Sequence, residues 1–326
     1  MSLPLIGVTL GDPGGIGPEI AVKALLRWPE LPPAHFVLFG TTELLRREER
    51  SLGVSLGAAA FESGAGDSGP RFSLVEVPVE PLPDRRGEAS AANGRASFAF
   101  FLAALEAAQS GRIQAFVTAP ISKLSWSLGG IPYHGHTEYL ETIYPETIMS
   151  FWSEKLVVAL FSHHLPLRDA LRRLDKDALV RFIGTLRHGV EKAKPGLHHY
   201  LVAGLNPHAG ENGLMGREEI EIIAPAVEAA RAAGADVSGP FPPDVVFRMA
   251  YGRPRRIVIA LYHDQGLIPF KLEAFDTGVN ATLGLPFLRT SPDHGTAFDI
   301  AGKNLANPQS MAEAVRLAVE LSPAVL

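Results

Sequence analysis

Short apolar runs alternate with amphipathic segments along nearly the whole chain. The runs with the character of buried strands cover residues 5–10, 36–39, 72–77, 113–117, 156–161, 200–205, 257–261 and 279–283. Apolar residues recur at helical spacing in segments 18–27, 91–109, 175–192, 217–233 and 310–321. Strands that alternate with helices are typical of βα units, so we predict an α/β fold with a largely parallel sheet.

The length of the chain indicates more than one hydrophobic core. A chain of 326 residues exceeds the roughly 250 to 300 residues at which a single core stops growing. We therefore predict two α/β lobes with a cleft between them. The first lobe comprises residues 1–124 and 289–326, and the second comprises residues 125–288.

Composition excludes several classes of protein. The chain has no cysteine, which excludes disulfides and thiol catalysis. Its net charge of −5 gives no support for binding to nucleic acid or to membranes. The first residues lack the basic segment of a signal peptide, and no apolar stretch approaches the roughly 20 residues of a membrane helix. We expect a soluble cytoplasmic enzyme.

Three histidines each follow a strand-like run: His164, His208 and His263. In an open α/β sheet, ligands bind beyond the carboxyl ends of the strands, so side chains from separate βα units can converge there. Three imidazoles with one open position are typical of a catalytic metal site. For each histidine alone, the ordinary alternative is a loop residue that hydrogen-bonds to backbone.

Two other segments have the composition of anion-binding turns. Residues 11–19, GDPGGIGPE, form a glycine-rich turn before a helix, where backbone amides could face an anion. The alternative is a tight structural turn in which Asp12 hydrogen-bonds locally. In YHGHTE, His136 and Thr137 could bind a carboxylate or phosphate. The alternative is that Thr137 only caps a helix while His136 faces solvent.

Cationic and amide side chains follow in the last third of the chain. Lys271, Asn280 and Arg289 lie in apolar, glycine-rich surroundings, where a charged group needs a partner. Together they would suit a phosphorylated or carboxylated substrate, although an isolated Lys or Arg is usually solvated. Residues 293–308 then form a polar loop, in which Asp299 could bind a ribose.

Seven motifs resemble those of the 4-hydroxythreonine-4-phosphate dehydrogenase family of pyridoxal phosphate biosynthesis. They are GDPGGIGPE, HGHTE, HLPLR, NPHAGENGLMG, YHDQG, GVNATLGLP and SPDHGTAFDIAGK. The resemblance implies that His164, His208 and His263 bind a divalent metal (zinc, magnesium or cobalt) in a site shared across a homodimer. It places the metal ligands and the dimer interface in the second lobe. The implied substrate-binding residues are His136, Thr137, Lys271, Asn280 and Arg289.

The same resemblance implies the fold of the isocitrate and isopropylmalate dehydrogenases rather than a conventional Rossmann domain. A loop of the first lobe would then hold the adenosine half of NAD or NADP through His294, Asp299 and Asn307, with Asp299 favouring NAD. The chain departs from the pattern of that larger group at Phe298, where proline is usual. Asp12 stands where some members of the hydroxythreonine-phosphate family have glutamate.

The implied reaction is oxidation of 4-phosphohydroxy-L-threonine, followed by decarboxylation of the resulting β-keto acid. Lys271, Asp264 or a metal-bound water would take the proton of the alcohol. A sister branch that oxidises four-carbon phospho-hydroxy acids such as phospho-threonate shares these motifs. The residues alone also suit a metal-dependent aldolase or hydrolase, or a non-catalytic protein that binds a phosphorylated metabolite.

Overall fold

The computed structural model describes residues 3–61, 71–83, 85–196, 198–253 and 255–322. The chain divides into two compact units. The first unit comprises Met1–Pro145 and Pro286–Leu326, and the second comprises Glu146–Leu285. Each unit has its own strands and helices, and both are α/β as predicted.

The strands of the first unit form a parallel sheet. They are β1 (Leu5–Thr9), β2 (His35–Gly40), β3 (Ala59–Ala60), β4 (Phe72–Glu76), β5 (Ala115–Thr118) and β12 (Leu288–Pro292). Their order is β3-β4-β2-β1-β5-β12, and each pair of neighbours is parallel. Strands β1, β2 and β5 are almost wholly buried and apolar, which is typical of parallel strands covered on both faces.

Six α-helices accompany this sheet in the described residues. They are α1 (Gly17–Leu26), α2 (Thr42–Leu52), α3 (Ala91–Gln109), α4 (Lys123–Leu128), α5 (His136–Ile143) and α11 (Gln309–Leu321), and a short 3₁₀ helix spans Trp28–Glu30. Hydroxyl groups cap three of these helices. Thr41, Ser90 and Ser122 accept from the backbone amides of Leu44, Asn93 and Ser125 at 3.0, 3.1 and 3.1 Å.

The second unit has a mixed sheet. Its strands are β6 (Ile148–Trp152), β7 (Val157–Leu160), β8 (His199–Ala203), β9 (Val237–Phe241), β10 (Arg256–Ala260) and β11 (Val279–Leu283), in the order β11-β6-β7-β10-β8-β9. Strand β6 is antiparallel to both of its neighbours, whereas β7, β10, β8 and β9 are parallel. The parallel strands therefore end at one edge of the sheet.

The helices of the second unit are α6 (Leu167–Arg173), α7 (Lys176–Ala193), α8 (Ala224–Ala232), α9 (Pro243–Ala250) and α10 (His263–Ala274). A turn of residues with positive φ lies within Pro207–Gly213, and a π-helical turn spans Glu219–Ile223. The core includes Phe151 of β6 and Phe270 of α10, whose ring centroids lie 5.6 Å apart. Across the described residues, no helix has both the length and the apolar character needed to span a bilayer.

The first boundary between the units differs from the predicted one. Residues 125–145 belong to the first unit rather than to the second. Trp126 of α4 is fully buried, and its Nε1 donates to Ser97 Oγ of α3 at 3.0 Å. Helix α4 thus packs on a helix of the first unit. The second boundary lies before β12, because β12 pairs with β5 of the first unit.

Four strands lie outside the predicted runs: β3, β6, β9 and β12. Strand β12 is polar but wholly buried. Its polar side chains can be buried because they are hydrogen-bonded: Thr290 Oγ1 donates to the carbonyl of Ala314 at 2.8 Å, and Arg289 donates to the hydroxyl of Thr118. Strand β9 contains Gly239 and Pro240, which normally indicate a turn. The predicted helix 217–233 is divided into the π-helical turn and α8.

Candidate active site

The ends of three neighbouring strands in the second unit are tied together by side chains. Ser162, just after β7, donates through Oγ to the carbonyl of Leu261, just after β10, at 2.8 Å. Gln265 accepts from the amide of Leu261 at 2.7 Å and donates through Nε2 to the carbonyl of Gly204, just after β8, at 2.7 Å. All three strand ends are therefore held in register at one edge of the sheet.

The predicted metal-binding histidines follow these three strands. The rings of His164 and His263 lie 5.7 Å apart between centroids, and the ring of His163 lies 5.4 Å from that of His164. Parallel pairing of β7 with β10 produces the first of these contacts. The structure thus brings together two of the three predicted ligands within one chain.

Two of these imidazoles have a neighbouring carboxylate at Nδ1. For His263, Oδ1 of Asp264 lies 2.6 Å from Nδ1. For His208, Oε2 of Glu211 lies 3.3 Å from Nδ1. A carboxylate at Nδ1 favours the tautomer in which Nε2 can accept a ligand, which is the usual arrangement around metal-bound histidines. The donor chemistry of these side chains therefore fits a divalent metal.

Among the residues that the structure describes, no three His, Asp or Glu side chains are grouped as a metal site. His208 lies in the segment Pro207–Gly213, after β8. The described part of this chain therefore does not group His208 with His164 and His263.

A second cluster lies in the first unit, around Arg289 of β12. The guanidinium is 4% exposed, and its Nε and Nη2 donate to Thr118 Oγ1 of β5 at 3.0 and 2.6 Å. Nη2 also lies 3.3 Å from Nδ1 of His136. Parallel pairing of β12 with β5 places Arg289 next to the strand end at Thr118.

Burial determines the protonation of this cluster. Desolvation lowers the pKa of Arg289 to about 9, which leaves the guanidinium charged at neutral pH. Desolvation, and then the charge of Arg289, lower the pKa of His136 well below its usual value. A neutral imidazole thus lies beside a buried cation, and an anion bound there would stabilise that cation.

The structure excludes the alternative in which Thr137 only caps a helix and His136 faces solvent. His136 is 7% exposed, so it does not face solvent, and its Nε2 is buried without a hydrogen-bond partner among the described residues. Gly135 occupies the N-cap of α5, and no side chain caps this helix, so Thr137 is not a capping residue. Both residues remain available for an anion at the start of α5.

Lys271 and Asn280 lie in the second unit. Lys271 is half-buried in α10, and Asn280 is half-buried in β11. Oδ1 of Asn280 is buried without a hydrogen-bond partner in the described part of the chain. An unpaired amide oxygen in such a place is uncommon in folded proteins, which makes Asn280 a candidate for ligand binding.

The glycine-rich turn after β1 is built around Asp12. Its Oδ1 accepts from the amide of Gly14 at 2.8 Å, and the Asp12 amide donates to the carbonyl of Pro120 at 3.0 Å. Burial raises the pKa of Asp12, while the hydrogen bond from the backbone amide of Gly14 opposes this rise. A Cβ on Gly14 would lie 2.6 Å from Nδ2 of Asn93. These contacts support the structural interpretation of this turn.

The predicted cofactor residues lie on the surface of the first unit. His294, Asp299 and Asn307 are exposed. Nδ1 of His294 lies 3.0 Å from the carbonyl of Gly295, and Oδ1 of Asn307 accepts from the amide of Gln309 at 3.0 Å.

The loop that contains the predicted cofactor residues is fastened to α1. The Nζ of Lys23 donates to the carbonyls of Asn304 and Ala306 at 3.0 Å each. Glu19, which is buried, accepts from Lys23 at 2.7 Å and from the amide of Ala306 at 3.0 Å.

Comparison with known proteins determines the family. A family model described as "Pyridoxal phosphate biosynthetic protein PdxA" matches residues 33–318. A relative from Desulforapulum autotrophicum, named 4-hydroxythreonine-4-phosphate dehydrogenase, is 40% identical over 322 residues, or 97% of this chain and 94% of the relative. The chain belongs to the PdxA family. The resemblance carried by the seven motifs is thereby confirmed.

Solved structures similar to this PdxA-family chain agree with its fold. A crystal structure of 4-hydroxythreonine-4-phosphate dehydrogenase from Klebsiella pneumoniae has a TM-score of 0.84 at 38% identity, covering 98% of this chain and 99% of the other. A terephthalate 1,2-cis-dihydrodiol dehydrogenase from Burkholderia xenovorans has a TM-score of 0.71 at 30% identity, covering 98% of each chain. The predicted α/β fold class is confirmed.

Several residues of this PdxA-family chain that shape the site are not evident from its sequence. Ser162, Gln265 and Thr118 act through long-range hydrogen bonds, and a lone hydroxyl or amide carries no signal of its partner. Glu219 lies in the predicted helix 217–233, where a glutamate is ordinary. Its contact with Asn206 spans 13 residues, and no local pattern in the sequence indicates it.

Proposed function

We propose that this chain is an NAD(P)- and divalent-metal-dependent 4-hydroxythreonine-4-phosphate dehydrogenase of pyridoxal phosphate biosynthesis. It would oxidise 4-phosphohydroxy-L-threonine to 2-amino-3-oxo-4-phosphooxybutanoate, which loses carbon dioxide to give 3-amino-2-oxopropyl phosphate. The observation that carries the proposal is the pair His164 and His263, 5.7 Å apart at neighbouring strand ends, in a chain of the PdxA family. The relatives from Desulforapulum autotrophicum and Klebsiella pneumoniae bear the name of this activity.

His164, His208 and His263 would hold the metal. A set of imidazoles favours zinc or cobalt over magnesium, which prefers oxygen ligands. When bound, such an ion supplies Lewis-acid stabilisation of the negative charge that develops on the substrate oxygen. Asp264 and Glu211 would orient the imidazoles of His263 and His208 through the Nδ1 contacts described above.

The substrate's phosphate and carboxylate would be bound by the five side chains that the sequence predicts for this role. Arg289 offers a planar guanidinium that stays charged although it is buried. His136, Thr137 and Asn280 supply hydrogen-bonding groups, two of which have buried atoms without partners among the described residues. Lys271 would donate a hydrogen bond through its amino group.

The alcohol proton needs an acceptor. Oδ1 of Asp264 lies 2.6 Å from Nδ1 of His263, which favours an orienting role for this carboxylate. Lys271 is then the proposed base, and the nicotinamide, when bound, would supply the hydride acceptor that oxidation of the alcohol requires. His294, Asp299 and Asn307 would contact the adenosine half of that cofactor, with the exposed Asp299 bound to ribose hydroxyls, which favours NAD over NADP.

A homodimer would complete the metal site. Helix α10 begins at His263, and it carries apolar residues on one exposed stripe, namely Ile268, Leu272 and Phe275, which are 61%, 85% and 74% exposed. A stripe at i, i+4 and i+7 that begins beside a metal ligand suits a second copy of the chain. That copy would supply the third histidine, which the single chain does not bring together with the other two.

One assay tests this function. NADH formation is measured with 4-phosphohydroxy-L-threonine and with phospho-threonate, with and without chelator. We expect turnover of the first substrate that chelator abolishes and added zinc or cobalt restores. Preference for phospho-threonate would assign the chain to the sister branch. Metal-dependent cleavage without NAD reduction would instead indicate an aldolase or hydrolase.

Two sets of variants test the metal site. His208→Ala should lose turnover and stoichiometric metal binding while keeping its circular dichroism spectrum. A His208→Ala protein that binds metal normally would refute the three-histidine site. Mixing His208→Ala with His263→Ala subunits should recover part of the activity, because one of the two shared sites is then intact. No recovery at any mixing ratio would argue against a site built from two chains.

A further inference from the structure

The turn that carries His208 has an unusual backbone. His208, Ala209, Gly210, Glu211 and Asn212 all have positive φ, at 54°, 53°, 80°, 43° and 54°. They form one turn of left-handed helix, in which four of the five residues have a side chain. Residues other than glycine adopt this conformation singly rather than in runs, because Cβ crowds the following carbonyl. Such a turn persists only where surrounding contacts hold it.

The carboxylate of Glu219 holds the two residues that lie before Pro207 and the left-handed turn. Its Oε1 accepts from the backbone amides of Leu205 and Asn206 at 2.8 Å each. Its Oε2 accepts from Nδ2 of Asn206 at 2.9 Å. Glu219 is 3% exposed and begins the π-helical turn. A buried charge is stabilised here by three donors from the two residues that precede the left-handed turn.

Close packing leaves the turn little room to relax. A Cβ added to Gly210 would lie 2.7 Å from Oε2 of Glu219, and a Cβ added to Gly204 would lie 3.0 Å from Cα of Ala209. The left-handed turn therefore rests directly against the carboxylate and against the end of β8. Glu211, whose carboxylate lies 3.3 Å from Nδ1 of His208, belongs to the same turn.

We infer that Glu219 is a positioning residue that fixes the left-handed turn 208–212 and thereby the direction in which His208 presents its imidazole to a metal. The inference rests on the proposed function, since it takes His208 as a metal ligand. The carboxylate holds Leu205 and Asn206, and the turn follows directly. The ring of His208 and its carboxylate partner Glu211 are then oriented as one unit.

The test replaces Glu219 by an isosteric amide. Glu219→Gln keeps the volume of the side chain but replaces one carboxylate oxygen by an amide NH₂ group. If that group takes the place of Oε2, two donors face each other, because Nδ2 of Asn206 donates to Oε2 in the wild type. The matched control is Glu221→Gln, two residues away, where an exposed carboxylate pairs only with Arg217 among the described contacts. The apoproteins are titrated with zinc and with cobalt, and amide hydrogen exchange is followed at Leu205 and Asn206.

We expect Glu219→Gln to weaken metal binding about 10- to 100-fold, which is the usual effect of losing an outer-shell partner. Exchange at Leu205 and Asn206 should accelerate at least about 10-fold, since both amides lose their charged acceptor. Saturating metal should restore part of kcat. Glu221→Gln should match the wild type in both measurements. A folded Glu219→Gln protein with unchanged metal Kd would overturn the inference.

Two further outcomes are distinguishable. If the wild-type protein binds neither metal, the proposed metal site fails, and the positioning role fails with it. If Glu219→Gln does not fold, Asn206→Ala removes one of the three hydrogen bonds to Glu219, together with the one from Asn206 to Glu218, and keeps the carboxylate of Glu219. A several-fold weaker metal Kd in folded Asn206→Ala supports the inference, and an unchanged Kd contradicts it.

Discussion

The side-chain amide of Gln265 donates to the carbonyl of Gly204 at 2.7 Å, and its oxygen accepts from the amide of Leu261 at 2.7 Å. Gln265 lies two residues after His263, and Gly204 lies four residues before His208. One buried side chain therefore joins the strand ends that carry two of the proposed metal ligands. The spacing of these strand ends depends on that amide.

Gln265→Met should lower the free energy of unfolding by about 1 to 3 kcal/mol, because a buried backbone amide and a buried carbonyl lose their partners. Metal affinity should fall as well. Urea unfolding and a zinc titration measure the two effects. Gln109→Met, which removes an exposed hydrogen bond to Tyr144, is the matched control. Equal stability of the two variants would contradict the bridging role.

Thr118→Val should raise the KM for the phosphorylated substrate about 10- to 100-fold. The variant removes the hydroxyl that accepts from Nε and Nη2 of Arg289, and a hydrogen bond to a charged group contributes about 1.5 to 3 kcal/mol. Steady-state kinetics measure the effect, and kcat should change less than KM. Thr290→Val in β12 is the control, since its hydroxyl donates only to Ala314 among the described contacts. A similar rise in KM for both variants would exclude a specific role for Thr118.

His136 should make the protein less stable in mild acid. Burial and Arg289 lower the pKa of His136 well below 6.5 in the folded chain. Below pH 6.5 the unfolded chain therefore binds a proton that the folded chain does not. The free energy of unfolding should fall as the pH drops from about 6.5 toward the folded pKa, by at most about 1.4 kcal/mol per pH unit.

This pH effect is tested by urea unfolding at pH 7.5 and at pH 5.5. His136→Gln should lose less stability than the wild type between the two pH values, because glutamine does not titrate. Other titrating groups contribute equally to both proteins. Identical losses in the two proteins would show that His136 is not the responsible group.

Lys23→Met should weaken NAD binding about 10-fold, because Lys23 holds the carbonyls of Asn304 and Ala306 beside the proposed cofactor residues. The KM for NAD should rise while the KM for the phosphorylated substrate stays nearly constant. Arg27→Met, at the C-cap of the same helix and hydrogen-bonded to Glu30 and Gln309, is the control. If Lys23→Met changed only the thermal stability and left the KM for NAD unchanged, the contact of Lys23 with this loop would not contribute to cofactor binding.

Local patterns were sufficient to predict the α/β class and most strands. Buried parallel strands consist of continuous apolar residues, so the runs at residues 156–161, 200–205 and 257–261 correspond to β7, β8 and β10. A histidine that follows such a run lies at a strand end wherever the strand is placed. The positions of His164, His208 and His263 relative to their strands could therefore be predicted.

Which strands are neighbours is decided by tertiary packing. Strand β10 lies between β7 and β8, about a hundred residues after β7, and no local pattern encodes that order. The meeting of Thr118 with Arg289 likewise depends on the pairing of β5 with β12, which is too polar to resemble a buried strand. The left-handed turn at His208 requires Glu219, whose carboxylate reaches back across 13 residues to Asn206. Hydrogen bonds between distant residues fixed these arrangements, whereas hydrophobic periodicity, which acts between near neighbours, was enough to predict most of the strands but only some of the helices.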